Sequence, residues 1–393
     1  MSVEKMRAYR GPVLLSQGFR PFFLLGALQS AVAILIWLGW LFGWIEPKTA
    51  FAPVDWHVHE MLFGFLPAIV TGFLLTAVPN WTGRLPVRGA PLAGLVGLWL
   101  AGRLAIGWSA VIGPMAAAGV DCLYLAVLAA VIANEIVSGR NWRNLKVLLP
   151  LTVLLAANLL FHWQAIANGS TDIARRLALS AVLALIMLIG GRIVPSFTRN
   201  WLVRENPGRL PAPFARLDML IMGLSLAALT VWSCWPESLA AGVLMLLAAL
   251  ANGLRLARWA GDRTTREPLV LVLHLSFAFI PQGFVLAGLA ALRPDLVPAA
   301  AGLHAFGVGA FGAMTLSVMI RSSLGHTGHA LTMNRPAQLV YALVVAATLF
   351  RLAAVFDPDR FTLWIATAGL AWAAAFLGFC AVIGPKLLRR RLF

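Results

Sequence analysis

The sequence predicts an all-α, polytopic membrane protein. Of its 393 residues, 60% are hydrophobic and only 12% are charged, whereas soluble domains carry about 25% charged residues. The apolar residues gather in continuous runs of about twenty, the length of a membrane-spanning helix, and do not alternate with polar residues as in a barrel strand. Because the bilayer core offers the backbone no water, these runs are expected to be helices.

Twelve apolar runs follow one another with short connections. The first is interpreted as a retained helix, because no small-residue cleavage site follows a short apolar core. We expect a single transmembrane domain over residues 1–393. The runs lie near residues 21–44, 57–79, 91–109, 113–137, 146–168, 175–198, 217–235, 238–258, 268–292, 297–320, 336–355 and 361–385.

The positive charges are distributed unevenly between the connections. With the N-terminus in the cytoplasm, about 23 of the 31 lysine and arginine residues fall in cytoplasmic segments and about 6 on the opposite side. This bias predicts that both termini are cytoplasmic. It also explains the net charge of +16 by membrane topology, so membrane lipid is an expected partner and nucleic acid is not.

The three cysteines, Cys122, Cys234 and Cys380, are far apart in the sequence. No CxxC or CxxCH motif occurs, which argues against a dithiol metal site and against covalently attached c-type haem.

The stretch DWHVHEM opens the second run with two histidines and a carboxylate. Helix rise places His57 and His59 at the outer end of their span, at a similar depth to His162 and His304 on the fifth and tenth runs. Neutral imidazole commonly binds haem iron, copper and zinc, and helix bundles build such sites from facing helices. We therefore predict haem or metal ligands at His57, His59 and His304, whereas a hydrogen bond to a neighbouring helix explains His162 at least as well.

The spacing within His57-Val58-His59 leaves two alternatives. On a helix, residues two apart point about 200° from each other and must serve different partners. In an extended segment, both imidazoles point the same way and chelate one ion. In either case Glu60 is a candidate to accept a hydrogen bond from the second nitrogen of a ligand histidine.

A second group of histidines faces the cytoplasm: His274 on the ninth run, and His326 and His329 after the tenth. We include His274 and His326 among the candidate metal ligands, either for a second site or in a role without metal. For His329 a structural hydrogen bond is the favoured interpretation.

Two arginines, Arg103 and Arg192, are embedded in the third and sixth runs. A buried guanidinium binds a haem propionate or another anion well, so both are candidate cofactor-binding residues. The structural alternative is an ion pair with Asp121 or Asp218, or a hydrogen bond to a backbone carbonyl.

Several long motifs in this chain resemble the NnrS family, and the likeness covers nearly the whole sequence. They are WHVHEMLFGF (56–65), GFLLTAVPNWTGRL (72–85), GGRIVPSFT (190–198) and HAFGVGAFGAMTLSVMIRSSLGHTGH (304–329). The resemblance implies a bacterial inner-membrane protein that contains haem and copper and acts in nitric oxide metabolism and resistance to nitrosative stress. The haem would be haem b, because no CxxCH motif is present.

Twelve helices with histidine-held haem and copper are in turn similar to the catalytic subunit of haem–copper oxidases, a fold-level analogy. The second, sixth and tenth runs end in similar polar segments, and this four-helix spacing suggests a threefold helix arrangement. Those oxidases hold copper on paired histidines of a mid-chain span, but the sixth and seventh runs here contain no histidine. Copper must then use other ligands. His329 is a weak candidate, because it stands where the family motif leads us to expect arginine.

Three functions compete at this point. The first is a haem protein that reacts with or senses nitric oxide, a membrane oxidoreductase if it turns nitric oxide over, with an unidentified electron donor. The second is a transporter for a metal, haem or an anion that uses embedded charges such as Arg103, Arg192, Glu60 and Asp121. The third is a scaffold subunit with structural haem.

Overall fold

A computed structural model describes residues 9–167 and 169–390, and within these two ranges every regular element is helical. Twelve helices are long and apolar enough to cross a membrane, which confirms the predicted number and makes the chain a multi-pass membrane protein. They are α1 Phe19–Leu41, α2 Pro53–Thr82, α3 Ala90–Gly107, α4 Pro114–Ser138, α5 Trp142–Ala167, α6 Asp172–Glu205, α7 Arg216–Cys234, α8 Leu239–Arg263, α9 Pro268–Leu292, α10 Ala299–Thr327, α11 Arg335–Phe356 and α12 Pro358–Val382. Shorter helices cover Val13–Leu15, Ser109–Ile112 and Gly384–Leu388.

The chain divides into two compact units. The first comprises residues 1–178, 322–329 and 379–393, and the second comprises residues 179–321 and 330–378. In the first unit α1 packs on α2, and α4 packs on α2, α3 and α5; in the second, α8 packs on α7 and α9, and α10 packs on α9 and α11. The threefold, oxidase-like arrangement and the cytoplasmic termini remain predictions. The predicted cytoplasmic charges Lys5, Arg7 and Arg391 lie outside the described residues.

Helix α2 begins at Pro53, four residues before the apolar run from which it was predicted. Proline suits the first helical turn because its fixed φ is helical and its missing N–H would have no partner there. The start is tied to α6, since Thr171 Oγ1 and Arg175 Nη2 both donate to Asp55 Oδ1 at 2.6 Å. His57 and His59 therefore lie within the helix, which excludes the extended alternative for this pair.

Two stretches of π-helix interrupt the spans, and each directly follows a histidine. In α2 the segment Pro53–His59 leads into the π-helix Glu60–Phe65, and in α10 Ala299–His304 leads into the π-helix Ala305–Gly312. π-Helical turns are rare and are frequent at functional sites. Their positions therefore direct attention to His59 and His304.

Helices α1 and α2 approach each other closely through glycine. A Cβ at Gly26 would lie 2.8 Å from Ile69, and a Cβ at Gly72 would lie 2.7 Å from the Phe23 ring. Small residues allow such close packing between membrane helices, where van der Waals contact replaces the hydrophobic driving force. This contact holds the α2 histidines at a fixed rotation within the first unit.

Candidate metal centre

His57 and His59 point to different surroundings, as helical geometry requires. The His57 ring stacks on Trp37 of α1, with ring centroids 4.3 Å apart and an interplanar angle of 26°. The His59 side chain is fully buried and faces α4 and α5, where it meets Asp121 and His162. The two histidines therefore do not chelate one ion together, and His59 is the one that joins a cluster of possible ligands.

His59, Asp121 and His162 bring three ligand atoms within 4.8 Å of one another. Asp121 Oδ2 lies 3.2 Å from His59 Nε2 and 3.1 Å from His162 Nε2. Ligands about 2.0–2.1 Å from a tetrahedral metal ion stand about 3.3 Å apart, close to these separations. The three residues are 0%, 2% and 4% exposed, so an ion held here is shielded from water.

An aromatic shell surrounds the two imidazoles. Phe51 stacks on His59 at 5.2 Å and lies 5.6 Å from His162, measured between ring centroids. Phe63 and Phe161 lie 5.3 and 5.4 Å from the His59 ring. Such an apolar shell limits solvent access and lowers the local dielectric constant, which strengthens every charge interaction inside it.

A charged layer supports Asp121 from the other side. Arg103 donates to Asp121 Oδ1 and, at 2.5 Å, to Glu60 Oε1. Two side-chain amides also hydrogen-bond these carboxylates: Asn158 Nδ2 donates to Asp121 Oδ2 and Gln29 Nε2 donates to Glu60 Oε2, both at 2.7 Å. Two carboxylates against one guanidinium leave one negative charge, and a buried charge of this kind needs a counter-ion.

His59 shows where that positive charge belongs. Its Nδ1 lies 3.5 Å from Glu60 Oε1 and its Nε2 lies 3.2 Å from Asp121 Oδ2. A neutral imidazole carries one N–H, so one nitrogen lone pair must face a carboxylate unless a cation intervenes. His59, Asp121 and His162 would hold a metal ion, whose positive charge would remove the conflict and leave Nδ1–H of His59 to face Glu60, as in carboxylate–histidine–metal triads. Protonation of His59 is the alternative that metal analysis distinguishes.

The π-helical turn makes room for this charged layer at Gly64. A Cβ on Gly64 would lie 2.6 Å from Arg103 Nη1 and 3.1 Å from Glu60 Oε2. The Gly64 carbonyl accepts a hydrogen bond of 2.9 Å from Trp99 Nε1, which fixes the turn against α3. The local backbone thus lets Arg103 reach both carboxylates.

His304 lies in the second unit with a defined tautomer. Its Nδ1 is 2.7 Å from the Ala300 carbonyl, and since a carbonyl only accepts, the proton resides on Nδ1 and the lone pair on Nε2. One turn further along, a Cβ at Gly307 would meet no atom within 4 Å. His304 is half-buried, and an imidazole of this tautomer would bind haem iron through Nε2.

A family comparison adds to this geometry. The sequence model of the family described as NnrS protein matches residues 13–391, nearly the whole chain. The chain belongs to the NnrS family. Membership supports a role in nitric-oxide-related metabolism. None of the curated proteins compared with this chain matches it.

The histidines predicted to face the cytoplasm have other surroundings in this NnrS family member. His274 Nε2 lies 2.7 Å from Thr198 Oγ1, and because that hydroxyl donates to the Val194 carbonyl, the imidazole is the donor. Backbone closes over the other nitrogen, since a Cβ on Gly261 would lie 2.6 Å from His274 Nδ1. His274 thus serves as a helix-to-helix hydrogen bond in this arrangement.

His326 and His329 belong to the first unit. The His326 ring lies 5.5 Å from the Phe19 ring, and His329 Nδ1 lies 2.8 Å from Thr327 Oγ1. The pKa of His329 is lowered by partial burial and by the positive charge of Lys386, so this imidazole is neutral at pH 7.

The embedded arginines also have distinct places. Arg103 pairs with Glu60 and Asp121, the structural role considered beside anion binding. Arg192 lies half-buried on α6 of the second unit. The neighbouring Gly191 makes room for Arg255 of α8, a fully buried guanidinium whose Nε lies 3.1 Å from Asp218 Oδ1.

The sequence did not single out Asp121 and His162 as ligands. Both were visible as polar residues at the outer depth of their spans, and this shared depth with His59 was the available signal. Their convergence depends on how α2, α4 and α5 are rotated about their axes. The polar residues of one helix do not determine how that helix is rotated about its axis relative to its neighbours.

Proposed function

We propose that this protein is a bacterial inner-membrane metalloprotein of nitric oxide metabolism, in which His59, Asp121 and His162 hold one metal ion. The observation that carries the proposal is the buried cluster itself: two imidazoles and one carboxylate around an uncompensated negative charge. Copper is the ion that the family resemblance implies, and imidazole donors suit it well. Zinc accepts the same donor set and is the competing occupant.

Haem b is the second proposed cofactor, with His304 as its protein ligand. Support comes from the Nδ1 contact with Ala300, which leaves Nε2 as the ligand atom, and from the open face at Gly307. His57 and His59, the other predicted haem ligands, face Trp37 and the Asp121 cluster respectively. When bound, the haem iron would supply a site for nitric oxide and for electron transfer.

The residues around the metal centre set its properties. Arg103 and Asn158 hold Asp121 in one orientation, and Glu60 orients the His59 ring through Nδ1. Phe51 and Phe161 exclude water from the proposed metal centre. A site without water would favour the binding of a diatomic gas and would suppress side reactions such as hydrolysis and proton leakage. In this proposal the chain acts in resistance to nitrosative stress, by sensing or converting nitric oxide with electrons from a partner protein.

The transporter hypothesis places the same charges on a pathway. In the structure these embedded charges form ion pairs with one another, since Arg103 contacts both Glu60 and Asp121. A substrate or proton path needs groups that exchange partners, whereas a network of this kind holds a fixed centre. The geometry therefore favours a resident metal over transport.

Metal analysis and the visible spectrum of the purified protein test the proposal. Protein produced with haem and copper available is expected to contain about one copper or zinc ion per chain and to show a Soret band. His162→Ala should lose the metal, while His329→Ala, the control, should keep both cofactors. Metal-free protein, or equal metal in wild type and His162→Ala, would overturn the metal assignment. Absence of a Soret band would overturn the haem assignment.

A further inference from the structure

The second unit contains a cavity of about 500 Å³ at the ends of α6, α9 and α10 that the topology assigns to the cytoplasmic side. Cavities of 300–1,000 Å³ are typical of sites for small organic ligands. Its wall carries three arginines, Arg204, Arg266 and Arg321, and two aromatic rings, Phe197 and Trp201. This cavity is separate in sequence and in unit from the His59 cluster.

Arg321 is the residue that makes the cavity a candidate anion site. Its guanidinium carbon lies 4.0 Å from the centre of the Phe197 ring, so one face of the guanidinium is covered by the aromatic ring. The side chain is half-buried. Among the residues that the structure describes, no carboxylate forms an ion pair with Arg321. Glu267 attracts its charge from a longer distance and Arg204 repels it, while burial makes the charge costly. Its N–H edge is thus suited to an anionic ligand.

The two acidic residues of the wall offset only part of the arginine charge. Glu267 caps α9 by accepting a hydrogen bond of 3.1 Å from the Leu269 amide, and Glu205 is exposed. In the described part of the chain, neither forms an ion pair with Arg204, Arg266 or Arg321. The cavity wall therefore keeps one net positive charge.

We infer that this cavity binds a phosphate-bearing anion, with Arg321 and Arg266 as its guanidinium partners. Guanidinium presents two parallel N–H groups that match phosphate oxygens, and aromatic rings beside it accommodate an attached organic group. The volume exceeds that of inorganic phosphate alone and suits a phosphate with such a group. Basic pockets at the cytoplasmic ends of membrane helices bind anionic lipid headgroups by this chemistry, and a soluble phosphate ester would use the same contacts.

Two binding measurements on the delipidated, full-length protein test the inference and separate the two sources. Equilibrium dialysis with radiolabelled inorganic phosphate reports on soluble phosphate. Native mass spectrometry after addition of anionic dioleoylphosphatidylglycerol, with zwitterionic dioleoylphosphatidylcholine, which carries no net charge, as the comparison, reports on a lipid headgroup. Binding of either anion supports the inference and identifies the source.

The variants Arg321→Gln and Arg266→Gln should each weaken that binding by about tenfold or more, the effect of removing one charge-assisted partner. Arg335→Gln, an exposed arginine at the start of α11 outside the cavity wall, should bind as the wild type does. The use of two cavity variants keeps the test valid if one of them does not fold. The inference is wrong if neither anion binds, or if both cavity variants bind as tightly as Arg335→Gln.

Discussion

The substitution Asp121→Asn examines the metal centre with almost no change in side-chain shape. It removes the carboxylate oxygen that lies 3.2 and 3.1 Å from the two imidazoles and one of the two carboxylates that Arg103 bridges. The remaining charges, Glu60 and Arg103, cancel, so the cluster no longer needs a cation. Metal binding and stability should therefore both fall, for separate reasons.

The two magnitudes follow from the contacts. Because Glu60 still neutralises Arg103 in the variant, no unpaired charge remains, and the expected cost is that of lost charge-assisted hydrogen bonds, about 1.5–3 kcal/mol. Residues that merely support a metal ligand already change metal affinity by about 10–100-fold, so loss of a ligand should weaken it by at least about 100-fold.

Copper competition against a chromophoric chelator measures the affinity, and denaturant unfolding measures the stability. Asp295→Asn is the matched control, because that exposed carboxylate pairs only with Arg293 in the described structure. The control should leave both quantities unchanged. If Asp121→Asn binds copper as tightly as the control does, the assignment of Asp121 as a ligand is refuted.

Three further substitutions test the role of the Arg103 charge, the close packing at Gly64 and the proposed haem ligand. Arg103→Gln removes the guanidinium that orients Asp121 and leaves two uncompensated carboxylates. Copper competition should show an affinity weaker by about 10–100-fold, and denaturant unfolding should show lower stability; an unchanged copper affinity would contradict the orienting role of Arg103. Gly64→Ala places a Cβ 2.6 Å from Arg103 and should lower the free energy of unfolding, measured with denaturant, by about 1–3 kcal/mol. The control is Gly97→Ala, whose Cβ meets no atom within 4 Å and which should not destabilise the protein. Equal stability of the two variants would refute the packing argument. His304→Ala should lose the Soret band while keeping the metal at His59, and an unchanged spectrum would exclude His304 as the haem ligand.

The fold was largely predictable because its signals are local. Each span contains a continuous apolar run, and composition alone locates most of the helix ends to within a few residues. The exceptions are α6 and α10, which continue beyond the predicted ends at 198 and 320 to Glu205 and Thr327. The start of α2 was predicted too late. The apolar run begins at His57, whereas the helix begins at Pro53 and is held there by the contacts of Asp55 with Thr171 and Arg175. That error matters, because it left open whether His57 and His59 share one ion.

The site was only partly predictable because it depends on helix rotation. Depth along a span follows from counting residues, and it predicted that His59 and His162 lie at a similar level. Which residues meet depends on the π-helical turn at Glu60–Phe65 and on the fit of Gly64 against Arg103. These are tertiary features, as is the packing of Arg255 against Gly191, and no pattern within one span encodes them.

Copper X-ray absorption spectroscopy of the metal-loaded protein, combined with metal counting, tests the central claim most directly. For the wild type, the account predicts about one copper ion per chain, with two imidazole nitrogens and one carboxylate oxygen at about 2.0 Å from the copper. For His162→Ala, it predicts either a copper ion with one imidazole ligand fewer or no bound copper. The central claim would be contradicted if the copper environment were the same in the wild type and His162→Ala, or if the purified protein took up no metal.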